Sequence, residues 1–258
     1  MKSIGFIGGG RVTRIILEAF RNKKLMIDHV YVYDPNEDSL QRLKKEFPKI
    51  IVENNLSVSN IQSEVLFLAV HPPVMMETLA KIKDTLHKET LVVSLAPKIT
   101  INTIIAALGG FNKVARVNPS ATSIINQGIN PVAFSDKMTT KEKDTLLDLL
   151  NLLGNAPIVQ ERKIEAYAII SAMGSTYFWF QLQHLKELAE KYGMDGKEAN
   201  DVITDMLLGT AVSLFKSGKS PAEVMDLVPV KPITEYEDTI KSFYTSKLDG
   251  IFEKIKPA

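Results

Sequence analysis

No cysteine occurs in the sequence, which excludes disulfides, thiolate metal sites and a cysteine nucleophile. No apolar run approaches the ~20 residues that a bilayer-crossing helix needs. The short apolar stretch before Gly8 is followed by Arg11, Arg14 and Arg21, unlike a signal-peptide core. Charge of neither sign dominates, with 31 basic and 30 acidic residues and a net charge of +1. That balance argues against nucleic acid or an acidic membrane surface as a partner. The four histidines, His29, His71, His87 and His184, lack the spacing of a zinc site, so no metal is expected. A cytoplasmic globular protein acting on a small molecule is the default expectation.

What is present is a regular alternation of two periodicities. "SIGFIG" (3–8), "HVYVYD" (29–34), "EVLFLAV" (64–70), "TLVVSLA" (90–96) and "KVARVN" (113–118) are short β-rich runs. Near-continuous apolar runs suit strands covered on both faces of a parallel sheet. Helical patterns at 11–22, 37–47, 73–86 and 100–108 lie between them. This alternation predicts an α/β fold with a Rossmann-like doubly wound sheet over residues 1–160. "NPVAFS" (130–135), a helix over 139–153 and "APIVQ" (156–160) complete that domain. Residues 161–258 read as an all-α domain. Within it, 163–194 is expected as one long helix ended by Gly193, with further helices near 197–216 and 235–255. The long helix is apolar around most of its circumference at Ile169, Ile170, Met173, Tyr177, Phe178, Trp179 and Phe180. A helix of that kind in a domain of ~100 residues is expected to pack against another subunit.

The chemistry-bearing motif is Gly8-x-Gly10-x-x-Thr13, a G-x-G-x-x-G loop with its third glycine replaced. It lies between a strand and a helix, and Asp34 closes the next strand at the expected spacing, so it predicts a dinucleotide cradle. Gly8 and Gly9 allow the turn, and Gly10 lets the diphosphate approach the backbone. The N–H groups of Gly10, Arg11 and Val12 then face the anion at the helix amino terminus. Thr13 offers a hydroxyl that can bond back to the helix. Asp34 reads either as the ribose ligand, which favours NAD over a 2′-phosphate, or as the cap of the helix in "PNEDSLQRL".

Further segments resemble the pyrroline-5-carboxylate reductase family. "GFIGGGRVTRIILEAF" is similar to that family's "GFIGAGNMAxAI", and "LFLAVHPPVMMETL" to its "ILAVKPQxxxxVL", with His71 in place of a lysine. "VVSLAPKITINTI" resembles "VISIAAGITIxxL", and "ARVNPSATSIINQG" resembles "RVMPNTPxxVGEG". "ISAMGSTYFWFQLQHLKELAEKYGM" matches "LSGSGPAYVFxFIEALADAAVKLGL" without a gap. The resemblance implies a Rossmann-like domain, a helical domain that interlocks into a homodimer or higher homo-oligomer, and NADP or NAD as cofactor. It also implies reduction of a cyclic imino acid, 1-pyrroline-5-carboxylate to proline. Carried over, Val70, His71 and Pro72 lie along the cofactor, Ala96 and Asn118 near the reacting ring, and Asn55 near the adenosine ribose.

The departures concentrate where the resemblance puts the substrate. The family's "DMVTSPGGTT" loop reads "DLVPVKPITE" (226–235) here, with both glycines gone. Val230, Lys231 and Pro232 cannot reproduce a glycine-built anion cradle. Lys231 is then the candidate clamp for a carboxylate, and Thr234, or Ser175 through water, the candidate proton donor. Thr234 reads equally as a helix cap with Glu237 at capping-box spacing, and Lys231 as a solvated loop lysine. A reductase of another imine or carbonyl, and a dinucleotide-binding regulator without catalysis, stay open beside the imino-acid reading.

Overall fold

The computed structural model describes residues 1–257. They divide into two compact units, residues 1–173 with the segment from 251 onward, and residues 174–250.

The first unit begins β1 (Ser3–Ile7), α1 (Arg11–Asn22), β2 (His29–Tyr33), α2 (Glu37–Glu46), β3 (Ile51–Glu53) and a short α3 (Val58–Ile61). It continues β4 (Val65–Leu68), α4 (Pro72–Ile82), β5 (Leu91–Ser94), α5 (Ile101–Ala107) and β6 (Val114–Val117). After a 3₁₀ turn at Ala121–Ile125 come β7 (Gly128–Ile129), β8 (Val132–Phe134), α6 (Thr140–Asn151) and β9 (Gly154–Asn155). The main sheet has the order β3-β2-β1-β4-β5-β6-β8. It is parallel throughout except for β8, which runs against β6. Six parallel strands in the order 3-2-1-4-5-6 make a Rossmann-like sheet.

The period-2 alternation of side chains splits the core into two layers. Ile4, Phe6, Val65, Phe67, Val93, Ala115 and Val117 face the layer built from α1, α2 and α6. Ile7, Leu66, Leu68, Val92 and Val114 face the layer built from α4 and α5. Phe6 and Phe67 stack across β1 and β4 with ring centroids 5.0 Å apart. The strands therefore carry apolar residues on both faces, which is why they read as continuous runs rather than as alternating ones. The run "APIVQ" supplies only the isolated Val132–Ile158 bridge, and the pairing strand is β9 just before it.

The expected single helix over 163–194 is broken. A 3₁₀ turn (Glu161–Lys163) leads into α7 (Ile164–Tyr167), then a π segment (Ala168–Ala172), then α8 (Gly174–Lys191). The Met173 N–H reaches back five residues to the Ala168 carbonyl at 2.9 Å, and the Ser171 hydroxyl donates to the Tyr167 carbonyl at 2.8 Å. One extra residue per turn and the weak helix propensity of Gly174 account for the interruption.

The second unit is helical: α8, α9 (Gly196–Lys216), α10 (Pro221–Met225) and α11 (Glu237–Ile255) up to Gly250, with a 3₁₀ turn at Thr234–Tyr236. Asp195 caps α9 by accepting the Lys197 and Glu198 N–H groups, and Ser220 and Glu223 form a capping box on α10. Among the described residues no helix is long and apolar enough to cross a membrane.

Phe67→Ala removes a fully buried ring from the sheet centre and is expected to cost about 3–5 kcal/mol in urea unfolding. Thr139→Ala removes one half of the capping box on α6 and is expected to cost only about 1 kcal/mol in the same measurement.

Candidate functional site

The glycine loop stands at the carboxyl edge of the sheet, where the strand order reverses between β1 and β4. Gly8 adopts φ +111°, and a Cβ there would lie 2.4 Å from the Ala69 carbonyl oxygen. Only glycine combines that dihedral with that approach. The Gly8 N–H donates to the Tyr33 carbonyl at 2.7 Å, so the turn is tied to the ends of both flanking strands. Thr13, fully buried, donates its hydroxyl to the Gly8 carbonyl at 2.5 Å. The hydroxyl therefore bonds to the loop rather than to the helix, and the third-glycine position becomes a staple.

Asp34 does not cap α2; that position belongs to Asn36, whose side chain accepts the Ser39 N–H. The Asp34 carboxylate instead accepts the Gly9 N–H at 2.7 Å and the Asn36 N–H at 2.8 Å. It joins the end of β2 to the middle of the glycine loop by charge-assisted bonds.

α1 starts at Gly10 with no side-chain cap, so its first-turn N–H groups are free for an anion. A Cβ on Gly10 would meet nothing within 4 Å. Gly9, Gly10, Arg11, Val12, Ala69 and His71 line one cleft of about 1020 Å³, shared with residues of α1 and α2. Among these, Arg14 is bound to Glu46 at 2.7 Å, which raises its pKa further. Ser39, Arg42 and Lys45 also line the cleft. The sequence reading missed them, because their helical spacing looks like that of any solvated face.

The remaining candidates fall into separate groups. His71 is the N-cap residue of α4 with its side chain uninvolved, and Pro72 opens the helix. Val70 packs on the layer of α4 and α5. Ala96 is buried just after β5. Asn118 follows β6, its N–H donating to the Pro131 carbonyl at 3.2 Å, and its side-chain nitrogen is buried with no hydrogen-bond partner. Asn55 is exposed after β3 and its side-chain nitrogen donates to Asn54 Oδ1 at 3.1 Å.

In the helical unit, Lys231 and Thr234 are both exposed, and the Thr234 N–H donates to the Lys231 carbonyl at 3.2 Å. The turn at Thr234 is entered through Ile233 with no side-chain cap, so the capping alternative for Thr234 is not realised. Ser175 sits in the first turn of α8 and is half-buried. Tyr177 stacks edge-on against Tyr244 at 5.6 Å. Burial, with a smaller contribution from Tyr244, pushes its phenol above the ordinary value.

Residues 3–98 match the family model described as NADP oxidoreductase, coenzyme F420-dependent. Residues 161–252 match the one described as pyrroline-5-carboxylate reductase dimerisation. The pyrroline-5-carboxylate reductase of Escherichia coli is 26% identical over 88% of this chain and 84% of its own length. That of Pseudomonas aeruginosa is 25% identical over 97% of this chain and 92% of its own. This chain is similar to the pyrroline-5-carboxylate reductases over nearly its whole length. The fold agrees. The crystal structure of the Plasmodium falciparum pyrroline carboxylate reductase, solved with NADP bound, superposes with a TM-score of 0.82 at 18% identity. That match covers 99% of this chain and 97% of that one. The Coxiella burnetii pyrroline-5-carboxylate reductase gives 0.69 at 24% identity, over 98% and 93% of the two chains. The two-part organisation, a Rossmann-like sheet followed by an all-helical region, is thus that of the reductases.

Two substitutions separate folding from binding at the loop. Gly8→Ala forces a Cβ against the Ala69 backbone at positive φ and is expected to cost about 2–4 kcal/mol in urea unfolding. Gly10→Ala meets open space and is expected to change stability by less than about 0.5 kcal/mol. If the open amino terminus of α1 takes the diphosphate, titration with a dinucleotide should nevertheless show weaker binding for Gly10→Ala, because the new methyl enters that open space.

Proposed function

We propose that this protein is an NAD(P)H-dependent reductase of a cyclic imino acid, with 1-pyrroline-5-carboxylate, reduced to proline, as the first substrate to test. The observation that carries the cofactor part is the uncapped amino terminus of α1 opening into a cleft beside the glycine loop. The absence of any Cβ contact at Gly10 leaves the space that a diphosphate requires. The substrate part rests on similarity to named reductases from end to end.

In this reading Gly8, Gly9 and Gly10 shape the cradle, and the N–H groups of Gly10, Arg11 and Val12 hold the diphosphate. Asp34 keeps lone pairs beyond its two backbone bonds with which to accept ribose hydroxyls, which favours NADH. Asn55 lies toward the adenosine, and Val70, His71 and Pro72 run along the cofactor toward Ala96 and Asn118. The reduced nicotinamide, when bound, supplies a hydride to the C=N carbon. The chain's own work is to hold the imine in place, pair its carboxylate with the Lys231 ammonium, and deliver a proton to nitrogen from Thr234, or from Ser175 through water.

A second substrate class is favoured by the loop 226–235. With Val230, Lys231 and Pro232 where a glycine-built cradle would sit, the loop suits a side-chain clamp rather than a backbone one. An acyclic imine or a carbonyl compound bearing an anion fits that clamp as well.

The helical unit supports assembly of two copies. Phe178, Trp179 and Phe180 on α8, and Val212 and Phe215 on α9, are exposed within one chain, Phe215 at 78%. Trp179, Leu182, Ile203 and Leu207 line a groove between α8 and α9 of about 450 Å³. An exposed apolar surface of this extent marks an association face.

Oxidation of NADH and NADPH with pyrroline-5-carboxylate, followed by absorbance, tests the proposal. Lys231→Ala is expected to raise KM about tenfold or more, as loss of a charge-assisted bond implies. Thr234→Ala is expected to lower kcat by about 10²-fold or more if its hydroxyl is the donor. Cofactor binding without turnover of pyrroline-5-carboxylate would exclude proline synthesis. Phe215→Glu is expected to shift the protein toward monomer in light scattering; an unchanged mass would remove that face from the assembly.

A further inference from the structure

Arg116 is the largest fully buried side chain among the described residues, 1% exposed on β6. Its Nη1 donates to Glu161 Oε1 at 2.9 Å and its Nη2 to Glu165 Oε1 at 2.6 Å. Glu165 is itself 1% exposed. The same Glu161 Oε1 accepts the backbone N–H of Ile101 at 2.7 Å, so one oxygen joins the first residue of α5 to the guanidinium on β6. Both Arg116 Nε and Glu165 Oε2 are buried without a hydrogen-bond partner.

A cluster of one cation and two carboxylates with unpaired polar atoms is a poor device for stability. Burying such charges costs about as much as their attraction returns, and an apolar replacement of similar volume is often as stable. What the cluster does provide is fixed geometry among three segments. Ile101 closes the loop that carries Ala96 away from β5. Arg116 stands two residues before Asn118. Glu161 and Glu165 lead into the π segment Ala168–Ala172, a feature found mostly at functional sites.

The side of the sheet matters. The glycine loop and Asp34 follow β1 and β2, whereas β5 and β6 lie beyond the strand-order reversal between β1 and β4. A doubly wound sheet binds the two halves of a dinucleotide on the two sides of that reversal. The adenosine half belongs with β1 and β2, and the nicotinamide half with the loops after β4, β5 and β6.

We infer that Arg116 is a positioning residue for the nicotinamide half of the cofactor site, locking the loops after β5 and β6 to each other through Glu161 and Glu165. The inference rests on the dinucleotide reading given above. Arg116 acts through the Ala96 and Asn118 loops and has no contact of its own with the cofactor. Its fork of two donors to two carboxylates is what a lysine cannot reproduce.

Binding of NADH and of ADP-ribose to the full-length protein tests this without any turnover, because ADP-ribose shares the adenosine diphosphate half and lacks the ring. Arg116→Met is expected to weaken NADH about tenfold and leave ADP-ribose within about twofold, with Arg116→Lys recovering only part of the loss. Glu161→Gln, which preserves shape but removes the charge at the shared oxygen, is expected to move in the same direction and serves if Arg116→Met does not fold. Loss of affinity for both ligands in equal measure, or for neither, would overturn the inference and leave Arg116 a packing residue. A wild-type protein that binds neither ligand would instead remove the dinucleotide reading, and this inference with it.

Discussion

The contact on which the site depends is that of Gly8 with the backbone of β4's end. The Gly8 amide reaches the Tyr33 carbonyl while its Cα faces the Ala69 carbonyl, so three strand ends meet at one residue without a side chain. That approach sets where α1 begins, and thus where its unpaired N–H groups point. Thr13 and Asp34 then fix the loop from the buried side and from β2. The conformation of the loop is consequently set by sheet packing and by these two side chains.

The electrostatics follow a division between surface and interior. Exposed pairs such as Lys81–Glu77 and Lys197–Asp201 are solvated and contribute little to stability. Inside, charge is confined to few places, and the largest is Arg116 with its two glutamates. Asp34 stands between these regimes, half-buried and doubly bonded to backbone. The neighbouring cleft is lined with Arg11, Arg42 and Lys45, so carboxylate and cationic side chains lie close together at this edge of the sheet.

The helical unit presents the opposite physical situation. α8 and α9 bury almost nothing within one chain; only Gly174 of α8 and Ala199 of α9 are fully buried. Helices this apolar and this exposed need a second surface, which agrees with a dimerisation family matching residues 161–252. The loop 226–235 emerges from this region without the glycines of the reductases it resembles. With Val230, Lys231 and Pro232 in the loop it cannot form a glycine-built backbone cradle, and it presents Lys231 and Thr234 as exposed side chains instead.

By itself the sequence determined the elements whose signal is local. β1, β2, β4, β5 and β6, the helices between them, the glycine loop and the helical character of the carboxyl-terminal region were all legible, because apolar periodicity and glycine spacing act over a few residues. Gly8 was recognisable for the same reason. Tertiary structure alone decided what depends on distant segments meeting. Thr13 pairs with the loop carbonyl, Asp34 takes the Gly9 and Asn36 amides while Asn36 caps α2, and Arg42 turns into a cleft. The helix over 163–194 breaks into a π segment, Arg116 finds Glu161 and Glu165 across 45 and 49 residues of chain, and Glu161 takes the Ile101 N–H across 60. An arginine in "VARV" carries no local sign of its partners; packing of one sheet face against α5 and α7 creates them, and no periodicity encodes that.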